Sequence, residues 1–133
     1  MKDDNRDIIK VTCAIIEKDG KVLAVQRSES MNLPLKWELP GGKVENDESE
    51  EECIKREINE ELQIDIDPYL KLSSSVYCYP DFTIELIPFV SKYINGNLKL
   101  IEHKSSLWLD KEELLSVDWA EADLPIINEY CKL

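Results

Sequence analysis

Apolar residues follow two periods along the chain, and the switches between them mark the elements. "IIKVTCAIIE" (8–17) is β-branched and apolar and predicts a strand. "KDG" (18–20) is a turn signal, and "KVLAVQR" (21–27) predicts the returning strand. "SESMNLPLK" (28–36) reads as a loop, and "WELPGG" (37–42) as a short extended piece stopped by Pro40 and two glycines. The period then changes to that of a helix. Ser49 followed by Glu52 fits a capping box, and Ile54, Ile58 and Leu62 recur every fourth residue as a core-facing stripe. Strands are predicted again at 70–79 and 82–94. "NGN" (95–97) predicts a hairpin turn that "LKLIE" (98–102) leaves as a further strand. "SLWL" (106–109) predicts a short strand, "DKEELLS" (110–116) begins like a capped helix, and 121–133 predicts a C-terminal helix with Pro125 in its first turn. Many strands around one well-marked helix, with helices at the end, predict an α+β fold: a mixed sheet with helices packed on it. Residues 1–6 read as a disordered tail before one domain over 7–133.

Composition narrows the partners. Twenty-eight acidic against sixteen basic residues leave a formal charge of −12. A nucleic-acid duplex or an anionic membrane needs a basic face, so neither is expected as a partner. A small anionic substrate remains open, because a divalent cation bridges carboxylates to phosphates. No apolar run approaches the 18 residues of a membrane span, and "MKDDNRD" lacks the apolar stretch of a signal peptide. Cys13, Cys53, Cys78 and Cys131 form no CxxC pair and no zinc spacing. The expectation is a soluble, cytoplasmic monomer or homodimer with reduced thiols.

The helix itself poses a problem. Glu57, Glu60 and Glu61 share one side of it, beside the apolar stripe, and like charges so placed repel by roughly 0.2–0.5 kcal/mol per pair. A hard divalent cation, Mg²⁺ or Mn²⁺, is the natural neutraliser of such a carboxylate set. Arg56 stands at the edge of the set, placed to pair with a carboxylate outside it. An acidic helix is more often a solvated face, but these acids belong to a longer pattern. Gly42, Glu48 seven-residue spaced from "REINEELQI", and within it Arg56, Glu57, Ile58, Glu60, Glu61 and Ile64 resemble the Nudix box. Gln63 departs from it, standing where the family carries a glycine suited to a left-handed helix cap.

The likeness covers nearly the whole chain. "AIIEKDGKVLAVQR", "WELPGGKVENDES", "SLWL" and "EADLPII" are similar to the MutT and CTP-pyrophosphohydrolase branch of the Nudix hydrolases. The resemblance implies an α/β/α sandwich and Mg²⁺-dependent hydrolysis of a nucleoside triphosphate to monophosphate and pyrophosphate. It implies a metal site of Glu57, Glu60 and Glu61 with a backbone carbonyl from Gly42. One of these carboxylates, or Glu102, is expected to position or deprotonate the attacking water. Glu48 is expected to pair with Arg56. Arg27 and Lys43 are the expected phosphate contacts, with ordinary surface charge as the alternative. In "YCYPDF" (77–82), Tyr79, Asp81 and Phe82 are candidates for the base pocket, with core packing as the alternative. Asp123 stands where the 8-oxo-dGTP enzymes carry Asn. An ionised Asp only accepts hydrogen bonds, which suits the cytosine amino group; the alternative is a helix N-cap. A cytidine-type or modified nucleotide is therefore expected, ahead of 8-oxo-dGTP, of ADP-ribose or a sugar nucleotide, and of a non-catalytic nucleotide-binding module. His103 reads as a surface residue, and Trp37, Trp108 and Trp119 as packing residues.

Overall fold

A computed structural model describes residues 8–133, so the tail expected at 1–6 lies outside the described residues. The strands are β1 (Ile8–Lys18), β2 (Lys21–Gln26), β3 (Trp37–Glu38), β4 (Gly41–Lys43), β5 (Asp65–Lys71), β6 (Ser75–Cys78), β7 (Thr83–Asn95) and β8 (Ser105–Leu109). The helices are α1 (Glu50–Leu62) and α2 (Leu124–Cys131). The strands join into one mixed sheet in the order β3-β2-β1-β7-β5, with β4 beside β1, β6 beside β7 and β8 beside β2. β1 and β7 run parallel at its centre, from Ile8↔Thr83 to Glu17↔Lys92, and the other strand pairs are antiparallel.

Helices cover both faces. Alternate residues of β1 point to opposite sides. Cys13 and Ile15 meet Ile126, Ile127 and Tyr130 of α2, while Ala14 and Ile16 meet Ile54, Ile58 and Leu62 of α1. The result is an α/β/α sandwich, and double-sided burial explains why residues 13–16 carry no polar position. Each fully buried Ile or Leu on α1 contributes about 1.5–3 kcal/mol of transfer free energy, which fixes the helix on the sheet despite its acids. The capping box at Ser49 and Glu52 is formed in both directions, at 3.1 and 2.9 Å. The helix ends at Gln63, which adopts the left-handed conformation (φ 58°) without being glycine.

Three segments differ from the sequence pattern. The strand expected at 70–79 is two strands, and β5 begins earlier, at Asp65. Its alternation, with Ile66 and Pro68 buried, is masked by Asp65 and Asp67 on the outer face. Residues 98–102 form no strand: Lys99 N donates to Leu62 O (2.9 Å) and Ile101 N to Glu61 O (3.2 Å). The end of a helix leaves carbonyls without partners, and this strap satisfies two of them. The capped helix expected at 110–116 is a 3₁₀ segment, Lys111–Ser116. All four cysteines are free thiols, and among the described residues no helix is long and apolar enough to cross a membrane.

Candidate active site

One cavity of about 450 Å³ opens between the β3–β4 region, the 28–36 loop, the 79–82 turn and the strap before β8. That volume lies within the usual range for small-molecule sites. Arg27, Glu38, Gly41, Glu61, Tyr79, Asp81, Phe82, Glu102, His103 and Asp123 are all in its wall. Of the residues singled out from the sequence, Glu57, Glu60, Glu48, Arg56, Lys43 and Gly42 are not.

The acidic end is built on α1. Arg56 forms a two-pronged pair with Glu48, Nε to Oε2 at 2.6 Å and Nη2 to Oε1 at 3.0 Å. Arg56 holds Glu48 far below the usual carboxylate range, at about 2, with a further pull from the backbone N–H of Glu45. Arg56 Nη2 also donates to Lys43 O at 3.2 Å, which ties the β4 end to the helix. Its Nη1 reaches two of the box carboxylates, Glu57 Oε2 at 2.9 Å and Glu60 Oε1 at 3.2 Å. Glu60's side chain is 59% exposed and turned away from the cavity. Glu61 is 9% exposed and turned into it. Burial, then the neighbouring charges of Glu57 and Glu102, push Glu61 up to about 9. The carboxylate cluster expected on one helix side is thus divided, and among the described residues no three acids, cysteines or histidines converge as a finished metal cage. The division has a cause: Arg56 neutralises the outer pair, and Glu61 meets the buried wall as a neutral acid.

Two features nonetheless fit a divalent cation. Glu61 Oε1 is buried with no hydrogen-bond partner among the described residues, and such an atom costs about 1–3 kcal/mol unless something fills its valence. The second feature is a cradle at Gly42, where an added Cβ would lie 2.5 Å from Glu57 Oε2 and nearer still to the rest of that carboxylate. The chain keeps a glycine where the Glu57 carboxylate needs room.

Ala14 N donates to Pro40 O and Val44 N to Lys10 O. Antiparallel pairs alternate between bonded and non-bonded, so Thr12–Gly42 is a bonded pair and Cys13–Gly41 is not. Gly42 O also accepts from Thr12 Oγ1 at 3.2 Å. The peptide of Gly41, in the cavity wall, faces away from β1 and leaves its carbonyl off that ladder.

The opposite end is built around Asp123. Ala120 N donates to Trp37 O and Trp37 N to Asp118 O, so the chain before α2 lies along β3. That brings Asp123 Oδ2 to 2.8 Å from Leu39 N, with the residue 5% exposed. Its side chain does not cap α2. Burial raises the Asp123 carboxyl to about 8, against the pull of the Leu39 N–H and Arg27. At neutral pH it therefore carries a hydroxyl donor as well as an acceptor, and the expectation of an acceptor-only carboxylate is corrected. Tyr79 and Phe82 stack beside it, centroids 5.1 Å apart. Arg27 Nη1 donates to Glu38 Oε1 at 2.8 Å, inside the same wall. Lys43 is exposed and outside it.

Two wall residues escaped the sequence reading. Glu38 carried no motif signal. His103, expected on the surface, is 8% exposed with Nε2 2.8 Å from Glu38 Oε2. A lone histidine after a run read as strand gives no hint of burial, because the run was a strap.

Comparison with known proteins accords with this arrangement. The family description "NUDIX domain" matches residues 7–130. The chain is 35% identical over 126 residues to the CTP pyrophosphohydrolase of Escherichia coli strain K12, covering 95% of this chain and 93% of that one. It is 38% identical over 130 residues to an 8-oxo-dGTP diphosphatase of Haemophilus influenzae, covering 93% and 92%. The crystal structure of a MutT protein from Methanosarcina mazei Go1 superposes with a TM-score of 0.87 at 27% identity, over 98% of this chain and 97% of that one. An α/β/α sandwich, a Nudix box on its first helix and a full-length family match together make this chain a member of the Nudix hydrolase family.

Proposed function

We propose that the protein is a Mg²⁺-dependent nucleoside triphosphate pyrophosphohydrolase that prefers a cytosine-type base, plain or modified, and releases monophosphate and pyrophosphate. The observation that carries this is the two-ended cavity. A buried, unpartnered carboxyl oxygen of Glu61 lies at its acidic end, and a buried carboxyl with stacked aromatic rings lies at the other. Family members use divalent metals, and the donor set here is all oxygen, which suits Mg²⁺ or Mn²⁺. Glu57 and Glu61 would hold the ion, with Glu60 reached by releasing it from Arg56 and with the carbonyl of Gly41 rather than Gly42 as the backbone ligand. When bound, the ion offsets phosphate charge and lowers the pKa of water.

The chain's own residues account for the rest. Arg56 takes up the outer carboxylates and Glu48, so the loop before α1 stays against the helix while the ion is absent. Glu102 sits close enough to Glu61 to raise its proton affinity, and so is placed to accept a proton from an attacking water. Arg27, pinned by Glu38 and by Asn32 O at 2.5 Å, points a fixed cation into the cavity for the phosphate chain. Tyr79 and Phe82 supply a face for the base, and Asp81 stands at its rim. Neutral Asp123 presents a donor and an acceptor together, which complements the ring nitrogen and amino group of cytosine.

The same donor–acceptor edge fits an oxidised guanine, and the H. influenzae relative bears that activity in its name. This is the second reading. A panel of CTP, dCTP, 5-methyl-dCTP, 8-oxo-dGTP and ADP-ribose, with pyrophosphate and phosphate measured separately, decides between them. Cytidine nucleotides are expected to turn over fastest with pyrophosphate as product. Turnover of ADP-ribose with all triphosphates ignored refutes the proposal.

A further inference from the structure

His103 is the chain's sole histidine, and its burial serves neither end of the cavity directly. Its Nε2 lies 2.8 Å from Glu38 Oε2, while the other Glu38 oxygen takes Arg27 Nη1, also at 2.8 Å. The Glu38 carboxylate only accepts. Nε2 therefore carries the hydrogen and donates. Its Nδ1 has no hydrogen-bond partner among the described residues, so Glu38 is the ring's single polar fastening there.

The consequence comes from the neighbouring residue. Glu102 lies in the strap between β7 and β8. On one side Ile101 N donates to Glu61 O at 3.2 Å, and on the other Lys104 N donates to Gln26 O at 2.9 Å. Between these two points the His103 ring is the group that reaches inward to the sheet. We propose that His103 is a positioning residue: its Nε2–H bond to Glu38 fixes the strap that presents Glu102 beside Glu61, and joins it to the carboxylate that orients Arg27. One buried carboxylate then sets the geometry of both the acidic site and the phosphate contact. This rests on the reading of Glu102 given above.

The test exploits side-chain length. His103→Gln carries an amide N–H at the distance of Nε2, whereas His103→Asn reaches only as far as Nδ1. His103→Ala and His103→Asn are expected to lose about 10- to 100-fold in kcat with KM changed by less than about threefold, the scale of a small misplacement of a reacting group. His103→Gln is expected to recover most of that loss. In the double variant with Glu102→Gln, His103→Ala should cost far less than it does alone, since most of its effect on kcat passes through Glu102. Losses that multiply, or a His103→Gln as slow as His103→Ala, overturn the proposal. A second readout needs no turnover: ¹⁵N relaxation of the Ile101–Lys104 amides should show new fast motion in His103→Ala and none in His103→Gln. Unchanged order in His103→Ala overturns the proposal as well. Full activity in Glu102→Gln would refute the role given to Glu102, and the relaxation data would still decide whether His103 fastens the strap.

Discussion

Replacing Gly42 with alanine separates the site from the fold. Gly42 is not in the left-handed region, so its backbone tolerates a side chain. The new methyl would sit 2.5 Å from Glu57 Oε2 and closer to the other carboxyl atoms, all at the far end of a flexible side chain. Ordinary contact needs about 3.5 Å, so the carboxylate must retreat by about 1 Å or more. The stability cost is small. Glu57 gives up its bond to Arg56 Nη1, an ion pair at a partly exposed position worth about 0–1 kcal/mol. Losing a glycine from the unfolded chain returns about 0.4–1 kcal/mol. The functional cost is large, because a displacement of about 1 Å in a reacting group costs about 100-fold in rate, or ~2.7 kcal/mol of barrier.

The assay pairs nucleotide turnover with thermal melts, with and without Mg²⁺. Gly42→Ala should melt within about 4 °C of the parent, lose about 100-fold in kcat and lose the Mg²⁺-dependent rise in Tm. Gly41→Ala is the contrast. Its methyl would lie 2.7 Å from Cys13 Cα and nearer still to Thr12 O, both backbone atoms of the central strand. β1 and β4 would have to part, at a cost of about 1–3 kcal/mol or more. Parental kcat in Gly42→Ala, or a greater loss of stability there than in Gly41→Ala, refutes the reasoning.

Burial and the charges of Glu57 and Glu102 raise Glu61 from 4.5 to about 9, so the folded state keeps a proton that the unfolded chain has lost. Its stabilising effect is complete below pH 4.5 and disappears as pH rises through 9, with Asp123 acting in the same sense up to about 8. Without metal, Tm should fall across pH 5–9, and less steeply in Glu61→Gln; a parental slope unchanged by that substitution refutes the assignment. In the parent the KM for dCTP should climb above pH 8 as Asp123 ionises, and Asp123→Asn, which keeps a donor and an acceptor at every pH, should abolish that climb; a KM that climbs equally in both would reduce Asp123 to a packing residue. Gln63→Gly removes a side chain from a left-handed position (φ 58°), which costs a non-glycine residue about 1–2 kcal/mol. A net gain of about 0.5–1 kcal/mol with kcat unchanged is expected after glycine's own entropy, readable as a higher Tm.

How much of this was legible in the chain follows from the range over which each signal acts. Ser49 and Glu52 cap α1, Ile54, Ile58 and Leu62 face the sheet, and Arg56 meets Glu48: each depends on residues within a few turns, and each is visible in spacing. Residues 98–102 are different. "LKLIE" has the alternation of a strand, yet its N–H groups go to the carbonyls of Glu61 and Leu62, more than thirty positions earlier in the chain. Alternation reports which side chains are buried; it does not report which backbone accepts the hydrogen bonds. The placing of His103 shows the consequence. Nothing in the alternation of 98–102 shows that the His103 ring turns inward to Glu38. The box shows a related limit of local spacing. Helical spacing put Glu57, Glu60 and Glu61 on one side, but it could not show that Arg56 would claim two of them and leave the third buried as an acid. The cluster is therefore neutralised twice, by a guanidinium outside and a proton inside. A cation entering between them must displace both. The affinity for Mg²⁺ should accordingly strengthen as pH rises toward 9, where the proton on Glu61 leaves without assistance.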